Sequence, residues 1–136
     1  MSRKDAREKA FMLLYQLEIQ KGDMENQIAH FITEQEIKPK DADYVCLLVR
    51  GVRQQLDELD TAFEPLLKRW TKQRLPKIDI TILRLALYEM RFVEAVPDNV
   101  AISEAVLLAK KYSSEESRSY INAVLGRLSG GSGKKT

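Results

Sequence analysis

The sequence contains very few of the residues on which metal centres, disulfides and many catalytic sites depend. Its 136 residues include one cysteine, Cys46, and one histidine, His30. A single cysteine excludes an intramolecular disulfide, and with only one histidine beside it no cluster of cysteine and histidine zinc ligands can form. Cys46 lies in the apolar run YVCLLV, which favours a small core residue over a reactive thiol. We therefore expect no metal site.

Loops that bind nucleotides or present a nucleophile are also missing. The sequence has no G-x-x-x-x-G-K-[ST] or G-x-G-x-x-G loop and no G-x-S-x-G turn. Carboxylates are plentiful, but they stand at helix-surface spacings beside lysine and arginine, which is typical of solvated ion pairs. We therefore predict that the protein is not an enzyme, has no catalytic residues and uses no cofactor.

No stretch of the sequence is both long and free of charge. This argues against a transmembrane helix and a signal peptide, so we expect a cytoplasmic protein with no membrane partner. Neither sign of charge dominates, because 22 lysines and arginines stand against 20 aspartates and glutamates. A net charge of +2 is too small for the whole surface to attract nucleic acid, so any such site must be a local patch.

Glycine and proline are scarce, and the abundant residues are good helix formers. Apolar residues recur at three- and four-residue spacings, which predicts an all-α protein of about seven helices. The helix that begins at Pro76 is the most apolar, so it should be buried on most sides and central. The predicted helices span about residues 3–20, 24–36, 41–59, 62–71, 76–92, 101–112 and 115–128.

Several residues are predicted to mark helix starts. Ser2 with Asp5, and Ser113 with Glu116, fit capping boxes, while Asp41 fits a simple N-cap. Free N–H groups at helix starts suit phosphate, and the first and last helices could offer two such N-termini side by side.

The chain is expected to form one helical domain over residues 1–128. A polar connection near 71–75 divides it into two groups of helices, at about 1–71 and 76–128. The remaining residues, 129–136, have the composition of a flexible linker and are not expected to carry function.

The first ten residues, MSRKDAREKA, are rich in charge and have two interpretations. Arg3, Lys4 and Arg7 fit the basic arm of a nucleic-acid binder, but they also fit the solvated first turns of a helix. A second basic cluster contains Arg69 and Lys72 and is open to the same two interpretations. Composition does not separate them.

Three segments resemble the NusB family of transcription antitermination factors. They are ILRLALYEM, VPDNVAISEAVLLAKKY and SYINAVLGRL, and they occur in the order and spacing of that family. The opening AREKAFMLLYQLE is similar to the first helix of the family. The resemblance covers about residues 3–128, and three segments in register make it specific.

The resemblance implies a fold and a function. The family fold is all-α, with two small helical bundles packed across one another. NusB-like proteins bind boxA, a short single-stranded RNA element in nascent transcripts such as ribosomal RNA leaders. They do so with NusE, a small-subunit ribosomal protein, and together with other Nus factors they help the RNA polymerase elongation complex to pass terminators.

The resemblance also implies RNA-binding residues at the starts of the first and last helices. At the first helix they are Arg3, Lys4 and Arg7, although Asp5 interrupts the basic run. At the last helix they are Glu116, Tyr120 and Asn122. Leu66 stands where some members have an aromatic residue that contacts RNA, so one stacking surface is missing here.

Two further pairs complete the expected site. Tyr15 and Asp79 match positions implicated in binding NusE. Arg69 and Lys72 would extend the RNA-binding track if the second basic cluster takes part.

Two alternatives to an RNA-binding antitermination factor remain. The interrupted basic arm allows a helical adapter that binds proteins and has little RNA binding of its own. NusB-like domains are also fused to RNA methyltransferases, but this chain continues into no cofactor loop.

Overall fold

A computed structural model of the protein describes residues 2–67 and 74–130. This part of the chain contains seven α-helices and one short 3₁₀ helix and has no strand, which confirms the all-α prediction. The elements are α1 (Arg3–Ile19), α2 (Met24–Glu34), α3 (Pro39–Gln54), α4 (Leu56–Phe63), the 3₁₀ helix (Glu64–Leu66), α5 (Lys77–Phe92), α6 (Asp98–Tyr112) and α7 (Glu115–Leu128).

The two predicted capping boxes have different outcomes. At α1 the box is confirmed, because the Asp5 amide donates to Ser2 Oγ at 3.1 Å and Asp5 accepts from the Ser2 amide at 3.3 Å. At α7 the prediction is wrong by one residue, since Ser114 is the N-cap and its Oγ accepts from the Ser117 amide at 3.0 Å. Ser113 therefore lies outside the helix, and its hydroxyl is free to bond elsewhere.

Other predicted helix boundaries are also wrong: α6 begins at Asp98, three residues before the expected start, and α3 ends at Gln54, five residues before the expected end. The third helix begins at Pro39, two residues before the expected cap Asp41, because proline fits the first turn, where no backbone N–H is needed. The helix expected at 62–71 is instead the end of α4 followed by the 3₁₀ turn that contains Pro65. Residues 68–73 lie outside the part that the structure describes.

Helix α5 is central, as its apolar composition predicts. It contacts α1, α3, α4, α6 and α7, and it buries side chains on nearly every side. Where α5 meets α3, a Cβ added to Gly51 would lie 2.1 Å from the Tyr88 ring, so the missing side chain leaves room for that ring against the backbone of α3. The division of the chain into two helix groups stays a prediction, since α5 packs against members of both.

Charged side chains are also buried beside α5. Arg84 donates to both carboxylate oxygens of Asp60 at 2.8 Å and to Glu18 at 3.2 Å, which ties α5 to α4 and α1. A second pair, Arg7 and Glu89, ties α1 to the end of α5. None of the described helices has the length and apolar content needed to span a bilayer.

Candidate nucleic-acid interface

Two cations lie on the surface at the start of α1. Arg3 is exposed, and its guanidinium carbon sits 4.3 Å from the centre of the Tyr44 ring, a cation–π contact. The Lys4 ammonium is 3.9 Å from the Glu104 carboxylate, and its side chain is 60% exposed. Exposed contacts of this kind contribute little to stability, so both groups can exchange them for a phosphate.

The expectation that Arg3, Lys4 and Arg7 are all free cations on α1 is wrong for Arg7. Its side chain is buried, with Nε 2.6 Å from Glu89 Oε1 and a second nitrogen 3.4 Å from Glu104. The other oxygen of Glu89 accepts from the Tyr44 hydroxyl at 2.5 Å. Burial, followed by the charge of Glu89, raises the pKa of Tyr44. Arg7 therefore neutralises a buried carboxylate instead of offering its charge to solvent.

The same helix is fastened to the end of α6. Glu8 accepts hydrogen bonds from Lys111, at 2.5 Å, and from the Tyr112 hydroxyl. The Tyr112 ring packs against Phe11 with 4.9 Å between centroids. The bond from Lys111, and then that from Tyr112, lower the pKa of Glu8 below its usual value.

Tyr15, expected to contact a partner protein, lies one turn beyond this junction. Its ring is partly buried and stacks on Phe11, with centroids 6.5 Å apart and an angle of 17° between the planes. The exposed part of the ring remains accessible, so the partner contact stays a prediction.

The start of α7 presents two different faces. One face carries Asn122 and Arg118 and forms a shallow surface hollow with Ser103 and Leu107 of α6. The other face carries Glu116 and Tyr120 and borders a deeper hollow between α7, the start of α5 and the 3₁₀ turn. The structure thus brings Glu116 and Tyr120 together but places Asn122 on the opposite side of the helix.

The deeper hollow, which we call the α5–α7 hollow, has a volume of about 610 Å³. Its wall is mostly apolar, and the Tyr120 hydroxyl points inward, buried and without a hydrogen-bond partner. Burial, and then the charge of Asp79, raise the pKa of that hydroxyl. The described residues that line it are Leu66, Leu75, Pro76, Asp79, Ser114, Glu116, Ser117, Ser119, Tyr120, Ala123, Val124 and Arg127.

Asp79 lies at the edge of this hollow but is only 2% exposed. Its two carboxylate oxygens accept from the hydroxyls of Ser113, at 2.6 Å, and Ser117, at 2.5 Å. A partner protein would therefore meet a carboxylate whose oxygens are already bonded within the chain. The predicted direct contact with NusE stays a prediction.

The starts of α1 and α7 are anchored at different points of α5. Lys4 and Arg7 lie against Glu104 in the middle of α6 and against Glu89 near the end of α5. The first turn of α7 lies against Asp79 at the start of α5, and Asp79 and Glu89 are about 15 Å apart along that helix at 1.5 Å per residue. The expectation that the two N-termini lie side by side stays a prediction.

The chain matches the NusB family over residues 4–129, nearly all of its helical part. The chain belongs to the NusB family. The transcription antitermination protein NusB of Acetivibrio thermocellus is 44% identical over 128 residues, which cover 94% of this chain and 88% of that protein.

Solved structures give the same result. NusB of T. maritima superimposes with a TM-score of 0.87 at 30% identity, covering 94% of this chain and 90% of that one. A chain from the crystal structure of the antitermination factors NusB and NusE in complex with dsRNA superimposes with a TM-score of 0.82 at 27% identity, covering 93% of this chain and 94% of that one.

Two residues of the second basic cluster, Arg69 and Lys72, which were expected to extend the RNA-binding track, lie outside the described residues. The residues missed by sequence reasoning include Tyr44 and Glu89, which hold the start of α1 against α3 and α5. The sequence alone indicates that Glu89 has a partner, because a carboxylate in the most apolar helix is costly to bury unpaired. In residues 2–67 and 74–130, no group of three or more histidine, cysteine or acidic residues could hold a metal ion.

Proposed function

We propose that this protein acts in transcription antitermination by binding single-stranded boxA-type RNA together with NusE. Membership of the NusB family supports the antitermination role, and a chain from the crystal structure of NusB and NusE in complex with dsRNA has the same fold. The proposed action is binding and not catalysis, with the RNA polymerase elongation complex and other Nus factors as the larger assembly.

The observation that carries the RNA proposal is the pairing of Tyr120 with Glu116 on the α5–α7 hollow. Single-stranded RNA is held by aromatic faces on which unstacked bases lie, and each stacked base contributes ~1–3 kcal/mol. Tyr120 provides such a face on the wall of a mostly apolar hollow. Glu116 is exposed at the same hollow, where its carboxylate can accept from a base amino group while repelling phosphate.

The phosphates are proposed to follow the cations of α1. Arg3 and Lys4 keep their charges at the surface. Arg69 and Lys72 are proposed to extend the track. Asn122, on the other face of α7, would meet RNA only where the strand crosses that helix.

The contact with NusE is proposed to include Tyr15. Its partly exposed ring lies one turn beyond the junction of α1 with the end of α6, and aromatic side chains of this kind are enriched in protein interfaces.

A salt titration of RNA binding tests the proposal. Fluorescence anisotropy is measured with a labelled single-stranded boxA RNA, a duplex of the same sequence and a scrambled strand, each with and without NusE. If Arg3 and Lys4 each neutralise one phosphate, log K should fall against log salt with a slope of about −1.4. We expect preference for the single-stranded boxA RNA and tighter binding with NusE present.

Point variants separate the two kinds of contact. Arg3→Ala should flatten the slope by about 0.7, whereas Tyr120→Ala should weaken binding by ~1–3 kcal/mol with the slope unchanged. Lys21→Ala, an exposed lysine beyond the other end of α1, is the matched control and should change neither quantity. Absence of RNA binding both with and without NusE would exclude the RNA role.

One observation favours a second candidate, a protein-binding adapter. Arg7 is committed to Glu89, so the basic track at α1 is shorter than the sequence suggests. Binding of NusE without any measurable binding of RNA would support this candidate.

A further inference from the structure

We propose that Asp79 is a positioning residue that holds the first turn of α7, and with it Glu116 and Tyr120, in the geometry that RNA requires. The inference rests on the proposed function, because it assigns Asp79 a role in the same RNA site. It differs from the expectation of a direct contact with NusE, since Asp79 would act through two serines of its own chain.

Both hydrogen bonds to Asp79 come from serines at the start of α7 or just before it. Asp79 lies in the first turn of α5, and its oxygens accept from Ser113, which links α6 to α7, and from Ser117, in the first turn of α7. Both donors are neutral hydroxyls, so the carboxylate is not there to balance a buried positive charge. Its position serves to fix these two serines relative to α5.

The direction of the hydrogen bonds couples Asp79 to the helix cap. Ser114 Oγ accepts from the Ser117 amide at 3.0 Å and lies 3.1 Å from Ser117 Oγ, to which it donates. Ser117 Oγ in turn donates to Asp79. A hydroxyl has one proton to give, so an acceptor at Asp79 sets the orientation of Ser117 and then of Ser114.

The first turn of α7 needs this polar anchor because it has no fully buried apolar one. The buried side chains of the helix begin only at Ile121 and continue with Val124 and Leu125. Glu116 and Ser119 are exposed, and Tyr120 is only partly buried. Without the bonds to Asp79, the turn that carries Glu116 could separate from α5 and alter the α5–α7 hollow.

The test compares Asp79→Ala, Asp79→Asn and the double variant Ser113→Ala with Ser117→Ala. Asparagine can accept through its oxygen and donate through its nitrogen, so Asp79→Asn keeps bonding capacity while losing the charge. The matched control is Asp57→Ala, because Asp57 is an exposed aspartate in the first turn of α4. Each variant is measured for amide hydrogen exchange without RNA, for RNA affinity and for NusE affinity.

We expect Asp79→Ala and the serine double variant to speed exchange in the first turn of α7 by roughly tenfold, the equivalent of one hydrogen bond. RNA affinity should fall severalfold, with NusE affinity unchanged. The sign is diagnostic, because loss of a negative charge beside RNA would by itself tighten binding. Asp79→Asn should bind RNA at least as well as the parent protein, and Asp57→Ala should match it.

Three results would overturn the proposal. The first is Asp79→Ala weakening NusE binding while exchange in α7 and RNA affinity stay unchanged. The second is unchanged exchange in the serine double variant, which decides the matter even if Asp79→Ala does not fold. The third is an equal loss of RNA affinity in Asp79→Asn and Asp79→Ala. If the parent protein binds no RNA, the proposed function fails, whereas the exchange measurement still decides whether Asp79 holds α7.

Discussion

The proposed RNA site has two patches, one at the start of α1 and one at the start of α7. A buried charged residue lies at each patch. At α1 the residue is Arg7, which meets the buried carboxylate of Glu89. At α7 the residue is Asp79 of α5, whose carboxylate accepts hydrogen bonds from the hydroxyls of Ser113 and Ser117. One patch is therefore joined to the core by an ion pair, and the other by bonds between a charge and neutral groups.

This difference predicts how each patch responds to mutation. Helix α1 buries apolar side chains from its first turn onward, beginning with Ala6, so its start belongs to the core. Helix α7 buries none before Ile121, so its start can loosen while the core stays folded. Damage at the start of α1 should lower global stability, whereas damage at the start of α7 should mainly alter local order and binding.

The largest expected effect comes from Arg7. Arg7→Met leaves the fully buried Glu89 without its cation, and breaking a buried pair in this way costs about 3–5 kcal/mol. The measurement is the free energy of unfolding from urea denaturation. The double variant Arg7→Met with Glu89→Met should lose less than the single variant, because no buried charge is then left unpaired.

Lys4→Ala is the control for this variant, since Lys4 is on the same helix but exposed. It should leave the free energy of unfolding within about 0.5 kcal/mol of the parent. A loss below about 1 kcal/mol in Arg7→Met would contradict the assignment of Arg7 to the core.

Much of the fold was accessible from the sequence because helical periodicity is a local property. The apolar residues of α5 spread over most of the helix circumference, which predicts the central helix that the structure confirms. The boundary errors arose where two local signals compete, as at Pro39 and Asp41, both of which favour helix starts.

The site was less accessible because its residues pair across long separations. Arg7 stands three and four residues before the buried Ala10 and Phe11, so its position on the buried stripe could have been read from spacing. The partner of Arg7 could not be identified from spacing, since Glu89 is 82 residues away and the contact depends on how α1 packs on α5. The serine partners of Asp79 likewise depend on the path of the α6–α7 link.

The next effect compares the two helix caps. Ser114→Ala should cost the first turn of α7 about 1–2 kcal/mol of local stability, measured by amide hydrogen exchange, because its hydroxyl caps α7 and also belongs to the hydrogen-bonded chain that ends at Asp79. Ser2→Ala should cost about 0.5–1 kcal/mol of global stability in urea denaturation, since the exposed capping box of Ser2 and Asp5 begins a helix whose first turn belongs to the core. A loss of global stability in Ser114→Ala as large as that in Ser2→Ala would contradict the difference drawn between the two starts.

The smallest expected effect concerns Glu8, which joins α1 to the end of α6, just before α7. The bonds from Lys111 and Tyr112 hold the pKa of Glu8 below that of an unfolded glutamate. A lowered folded-state pKa stabilises the protein above the unfolded pKa of about 4.3, and this stabilisation is lost as pH falls through the lower folded value. Glu8→Gln should therefore be less stable than the parent at pH 7, and the difference should shrink as the pH falls toward 3.

Lys111→Met removes the main cause of the pKa shift of Glu8. The stability of this variant should therefore depend less steeply on pH than the stability of the parent. A difference between Glu8→Gln and the parent that stays constant from pH 7 to pH 3 would mean that this contact does not couple the two regions.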